Sequence, residues 1–238
     1  MKLKKGKCLV LLSVMLLCAC DSEESRFDAA RTRALQNPDP WQAYVQLSAD
    51  AERDCPSGLL ESACSGKTLA DYRGLAQTLY RKALSRSSPG AFADLFLRSV
   101  PPGRLEPQMP ELAKKLIVMA GESPGDRASA ALLLAAGDVL QKGEWVQKDS
   151  VQAAAFYARA WLAGSAKAAS RLSHLYSLQH DDASALLWQN RCTGECYPGQ
   201  ELVDVPDSWS PRKILRIQAL AKDRSIVTVN GQADWEDK

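Results

Sequence analysis

Three segments of this chain carry one pattern, and that pattern limits the fold more than any other feature. Tyr80-x2-Ala83-x7-Ala91-x3-Leu95 recurs as Ile117-x2-Ala120-x7-Ala128-x3-Leu132, and again as Tyr157-x2-Ala160-x7-Ala168-x3-Leu172. The first alanines stand 37 and then 40 residues apart. Self-similarity at such a period marks stacked units, none of which buries its apolar face alone. Within each unit the apolar spacing is helical, and strand patterning is sparse. Ser88-Pro89-Gly90, Ser123-Pro124-Gly125 and Gly164-Ser165 supply breakers where a hairpin needs them. Each unit is therefore predicted as a helix, a short turn and a second helix. The small alanines let the helices approach, and the aromatic and leucine side chains fill the groove beside them. The expected fold class is all-α.

The stretch from Ala130 to Tyr176 is the most complete unit. It runs Ala131-Leu132, Gly137-Asp138-Val139-Leu140, Lys142-Gly143, Val146, Asp149 and Ala154-x2-Tyr157-x2-Ala160, then Ala163-Gly164, Ala168 and Leu172. This resembles a Sel1-like repeat, a relative of the tetratricopeptide repeat. The resemblance implies a short right-handed solenoid of antiparallel helix pairs. Asp149 is placed to cap the second helix, its carboxylate accepting from first-turn N–H groups. The flanking copies are degenerate. Ile117 replaces the aromatic, and the Gly-rich connector is missing before Tyr80. Trp41–Leu59 and Ala185–Arg191 read as half-repeats at the ends. Trp145, Trp161 and Trp188 are assigned to packing between helices, with any exposed one a partner anchor.

Asn37-Pro38-Asp39-Pro40 is a breaker cluster, so the first stable helix is expected near Trp41. Past Cys196 the chain reads as extended through Pro206. Pro211 then opens a last helix with Ile214, Leu215, Ile217 and Leu220 on its apolar side. Ser225–Val229 reads as a strand, and Asn230-Gly231 as a hairpin-type turn. A single hairpin is marginal alone, so this segment is expected to fold back on the helices or pair with a partner strand.

The N-terminus begins with Lys2, Lys4, Lys5 and Lys7, followed by the apolar run Cys8–Leu17. That run is shorter than the roughly 20 residues a membrane-spanning helix needs, which favours a cleaved signal. Leu17-Cys18-Ala19-Cys20 resembles the lipobox of a bacterial lipoprotein signal peptide. The resemblance implies that Cys20 becomes the first mature residue and carries the lipid, palmitate included. Asp21 resembles an inner-membrane retention signal, so the inner membrane is favoured and the outer membrane is the alternative. The chain is thus divided into a signal peptide (1–19), a lipidated cysteine with a polar tether (20–39), a helical-repeat domain (40–200), and a C-terminal helix and short strand segment (201–238).

The four leader lysines belong to 30 basic residues set against 28 acidic ones, so the rest of the chain carries a formal charge of −2. That balance gives no reason to expect nucleic-acid binding. Beyond the leader remain Cys55, Cys64, Cys192 and Cys196, an even number suited to an oxidising compartment. Of three connectivities, Cys55–Cys64 with Cys192–Cys196 is favoured, because short loops close at little entropic cost. Free buried thiols are the alternative. No metal site is expected, since His174 and His180 form no Cys/His cluster. Gly66-Lys67-Thr68 lacks the upstream glycine of a P-loop, with Glu61 in its place, so no nucleotide is expected. Ser210-x2-Lys213 lacks the companion motifs of the penicillin-binding serine enzymes, and no triad assembles around His174.

These readings predict a non-enzymatic, periplasm-facing scaffold without a cofactor, binding an envelope protein in a secretion, conjugation or polysaccharide-export assembly. The alternatives are a cell-wall-related small-molecule binder or hydrolase of the disulfide-bearing Sel1-like kind, and an exclusion or immunity lipoprotein. A deep pocket with convergent ionisable groups would favour the enzyme; a shallow apolar groove would favour the scaffold.

Overall fold

The computed structural model describes residues 22–56, 64–98, 105–192 and 205–229. Among these there are ten α-helices, two short 3-10 turns and no strand. The chain divides into two compact units, with the boundary between Arg86 and Ser87. That boundary cuts the stretch expected as one repeat domain, between the two helices of its first unit.

The first unit holds α1 (Glu23–Gln36), α2 (Pro40–Asp54) and α3 (Gly66–Ser85), each packed on the other two. Helix α1 corrects the expected tether. Ser22 caps it through Ser25 N–H, Glu23 and Glu24 sit in the first turn, and Arg33 sits in the last. This charge order complements the helix dipole. Ala30 and Ala34, four residues apart, are buried, so α1 lies close against its neighbours. Glu23 also accepts from Ser65 N–H at 2.8 Å, which ties the start of α1 to the start of α3. Asp39 caps α2 through Trp41 and Gln42 N–H, with Pro40 in the first turn. Leu47, Tyr72 and Leu79 fill the core, and Phe27 meets Tyr72 edge-on at 4.8 Å.

The second unit holds α4 (Pro89–Leu97), α5 (Met109–Glu122), α6 (Ala130–Lys142), α7 (Ser150–Leu162), α8 (Lys167–Leu178), α9 (Asp182–Arg191) and α10 (Pro211–Leu220). Helix α6 is its centre. Every residue from Leu132 to Leu140 is buried, as expected of a helix that is apolar all round. It packs against α4, α5, α7 and α8. Gly143 then ends it at φ +68°, returning its N–H to Val139 O at 3.0 Å. Only glycine adopts that conformation freely. A Cβ there would also meet the Lys148 Cβ at 2.7 Å. Asp149 N–H bonds back to Leu140 O, and the Asp149 carboxylate accepts from Gln152 N–H at 2.9 Å, opening α7. Beyond it α7 packs on α8, α8 on α9, and α9 on α10.

The C-terminal reading needs one correction. Ser225 lies in a turn closed by Ile226 N–H on Asp223 O, and residues 226–229 form no strand. Val227 O and Val229 N–H are taken by side chains, as described below. The turn expected at Asn230-Gly231 lies outside the described residues.

Candidate functional site

Ionisable groups gather in two buried places, one in each unit. In the first unit Asp50 accepts from Arg33 at 2.9 Å, Gln46 at 3.2 Å and Arg53 at 3.0 Å. Burial opposes the charge on Asp50, but the Arg33 and Gln46 hydrogen bonds and the two guanidinium charges outweigh it and hold its pKa below the usual carboxylate value. The Asp54 carboxylate accepts from Tyr72 Oη at 2.9 Å and Arg53 Nε at 3.0 Å. Burial, with the adjacent Asp54 charge, pushes Tyr72 up to about 12. The Cys55–Cys64 disulfide follows directly, with a Cα–Cα distance of 5.1 Å, and closes the α2–α3 connection.

In the second unit Asp138 accepts from Tyr157 Oη and Arg171 Nε, both at 2.8 Å, and from Arg171 Nη2 at 3.2 Å. Burial, reinforced by Asp138, raises the Tyr157 pKa far above the ordinary phenol value. The Tyr157 ring lies over Gly137, where a Cβ would stand 2.4 Å from Cε1. This explains Gly137-Asp138 and Tyr157 as one packing device. Both phenols stay protonated at neutral pH, and the buried carboxylates are already engaged. These clusters hold helices together.

A cleft of about 660 Å³ runs beside α5, α6 and the start of α7. Ile117, Leu140 and Val146 give it an apolar floor, and Lys114, Lys148 and Asp149 line its open edge. Among the described residues no group of three His, Cys, Asp or Glu side chains is arranged to hold a metal. His174 and His180 are both exposed.

The third place holds main chain. Trp161 on α7 and Trp188 on α9 meet edge-on at 5.3 Å. Trp188 Nε1 donates to Val227 O at 2.9 Å, and Trp161 Nε1 donates to Arg224 O at 3.2 Å. Arg224 Nη2 returns a bond to Trp161 O at 2.8 Å. Ser184 Oγ accepts from Val229 N–H at 3.0 Å. Arg191 donates to the carbonyls of Leu220, Ala221 and Asp223, which caps the end of α10. Its guanidinium lies 4.4 Å from the Trp188 ring centre, and that of Arg224 lies 4.3 Å from the Trp161 ring centre. Burial is the largest influence on Arg191 and pushes its pKa down, with the Asp223 charge opposing. Ser184, Trp188 and Arg191 recur at i, i+4 and i+7, so they share one face of α9. That spacing is the only sequence signal for Ser184 and Arg191. Of the three tryptophans expected to pack, Trp161 and Trp188 pack on each other, and they also bond a non-helical segment.

The repeated positions fare unevenly. Tyr80, Ala83, Ala91, Leu95, Ala120, Leu132, Tyr157, Ala160, Ala168 and Leu172 are buried. Ile117 is half-buried and lines the cleft. Ala128 is exposed, which corrects its assignment as a packing residue. It sits in the 3-10 turn Arg127–Ser129, where the Asp126 carboxylate accepts from Ser129 N–H and Oγ. That cap turns Ser129, not Ala128, inward. Cys192 ends α9 and is in a disulfide. Cys196, like Cys20 and Asp21, lies outside the described residues. No described helix is long and apolar enough to cross a membrane.

No family model matches the chain, and no curated protein or solved structure does either.

Proposed function

We propose that this chain is a lipid-anchored, periplasm-facing scaffold of Sel1-like helical repeats that binds a protein segment in an envelope assembly. The observation that carries this reading is the row Trp161, Ser184, Trp188 and Arg191, which holds a non-helical stretch of main chain through three carbonyls and the Val229 N–H. Side chains that bond backbone rather than side chain accept many sequences, as peptide-binding surfaces do. The paired helices α6–α7 and α8–α9, with Gly143 and Asp149 in the connector, support the repeat reading. The anchor rests on the leader, where Cys20 follows Ala19 after a short apolar run. Asp21 favours the inner membrane.

Two measurements test the proposal. Radiolabelled palmitate is expected in the wild-type chain and not in Cys20→Ala; equal labelling of both overturns the anchor. A photoreactive residue in place of Leu162, which is 55% exposed on α7, is expected to cross-link one discrete envelope protein in living cells. The absence of any adduct, at this and neighbouring exposed positions, overturns the scaffold.

A further inference from the structure

We infer that the α7–α9 surface is a binding groove for an irregular, β-branched peptide segment, and that residues 223–229 occupy it as a ligand in cis. The inference deepens the scaffold reading and rests on it for the existence of a partner, but the groove and its occupant stand on their own geometry.

The segment Asp223-Arg-Ser-Ile-Val-Thr-Val229 adds no helix and no strand to the unit. It is held by four bonds to its backbone: Arg191 to Asp223 O, Trp161 to Arg224 O, Trp188 to Val227 O and Val229 N–H to Ser184. Only Val229 is fully seated, at 1% exposure, while Ile226, Val227 and Thr228 are half-buried. The fit is incomplete at two buried polar atoms. Arg191 Nη1 and Thr228 Oγ1 have no hydrogen-bond partner among the described residues. A buried donor or acceptor left unpaired weakens an interface. An incoming segment that keeps the valines and offers an acceptor to Arg191 Nη1 would fit better than the resident one. The resident segment has the advantage of tethering, which gives it an effective concentration in the millimolar range. It therefore acts as a gate, yielding only to a segment of matching chemistry and better fit.

The test uses the full chain and a fluorescent peptide with the sequence of residues 223–230. Val229→Asp places a carboxylate in the one fully buried strap position and leaves the groove unchanged. The peptide is expected to bind this variant roughly 100-fold more tightly than wild type, the factor by which millimolar tethering outcompetes a ligand of ~10 μM affinity. Adding Trp188→Phe, which keeps a ring but removes the donor to Val227 O, is expected to weaken that binding about tenfold. Equal peptide affinity for wild type and Val229→Asp overturns the inference. So does loss of the helical signal in Val229→Asp, which would make the strap part of the fold. Hydrogen exchange on the unaltered chain gives an independent reading. The Val229 amide is expected to exchange at least tenfold faster than core amides of α7 and α9, because the strap opens locally. Exchange at the same rate as the core overturns the inference. These failures leave the envelope cross-linking result untouched, so the scaffold reading falls only by its own test.

Discussion

Adding one methyl group at Gly137 should destabilise the second unit, although glycine-to-alanine changes in helices normally do the opposite. A Cβ at Gly137 would lie 2.4, 2.5 and 3.0 Å from three ring carbons of Tyr157. Ordinary contact begins near 3.4 Å, so the ring must shift by about 1 Å. It has little room, because Tyr157 is 1% exposed and its hydroxyl is fixed on Asp138 at 2.8 Å. If the ring stays, overpacking costs about 1–3 kcal/mol. If it swings away, a buried hydrogen bond to a carboxylate is lost, at about 1.5–3 kcal/mol. Alanine returns about 1 kcal/mol through helix propensity. The net expectation is a loss of roughly 0–2 kcal/mol, centred near 1, or a fall of up to roughly 8 °C in melting temperature for a unit of this size.

The control is internal. Gly121 is also helical and in the same unit, and nothing lies within 4 Å of the point a Cβ would occupy there. Gly121→Ala should therefore raise stability by up to about 1 kcal/mol. Thermal and urea unfolding followed by circular dichroism read both signs. Tyr157→Leu removes the ring that causes the clash, so the double variant Gly137→Ala/Tyr157→Leu should be less destabilised than the two single losses added. A Gly137→Ala chain stabilised as much as Gly121→Ala would refute the argument, and so would strict additivity of the pair.

Removing the Cys55–Cys64 crosslink with a double serine substitution should cost the first unit roughly 2–3 kcal/mol, the loop-closure value for so short a loop; calorimetry with and without reductant checks it. Asp50 has its folded pKa held below the usual 3.8, so its stabilisation is present above that pH and lost as the pH falls through the lower folded value. The stability gap between wild type and Asp50→Asn in urea should thus be constant from neutral pH to about pH 5 and shrink below about pH 4; a constant gap into acid would count against the ion-pair account. Ala160 is fully buried and Ala219 is exposed. Ala160→Leu should lower stability by about 1–3 kcal/mol, while Ala219→Leu should be nearly neutral, and equal melting temperatures would remove the helix-crossing role of Ala160.

What the sequence disclosed follows from how far each determinant reaches along the chain. The α6–α7 hairpin is written locally. Gly143 ends one helix and Asp149 starts the next within seven positions, each acting on backbone groups a few residues away. Helix α1 is different. Its buried stripe is little more than Ala30 and Ala34 among charged residues, and alanine carries almost no apolar signal. What holds it is distant, with Glu23 on Ser65 and Phe27 on Tyr72. A window of a dozen residues therefore reads it as a polar tether. Ala128 fails for a subtler reason, since a one-residue change of phase in a 3-10 turn exchanges which side chain faces inward. Ser225 lies in a turn and residues 226–229 form no strand, although their run of β-branched residues carries a local strand preference. That preference cannot signal the partner. The donors and acceptors that replace a strand are Trp188 and Ser184, about 40 residues upstream, on a helix whose own sequence looks like ordinary packing. A groove that recognises backbone leaves its imprint on the recognising side chains alone, so only Trp161 on α7 and three residues spaced along one face of α9 record it.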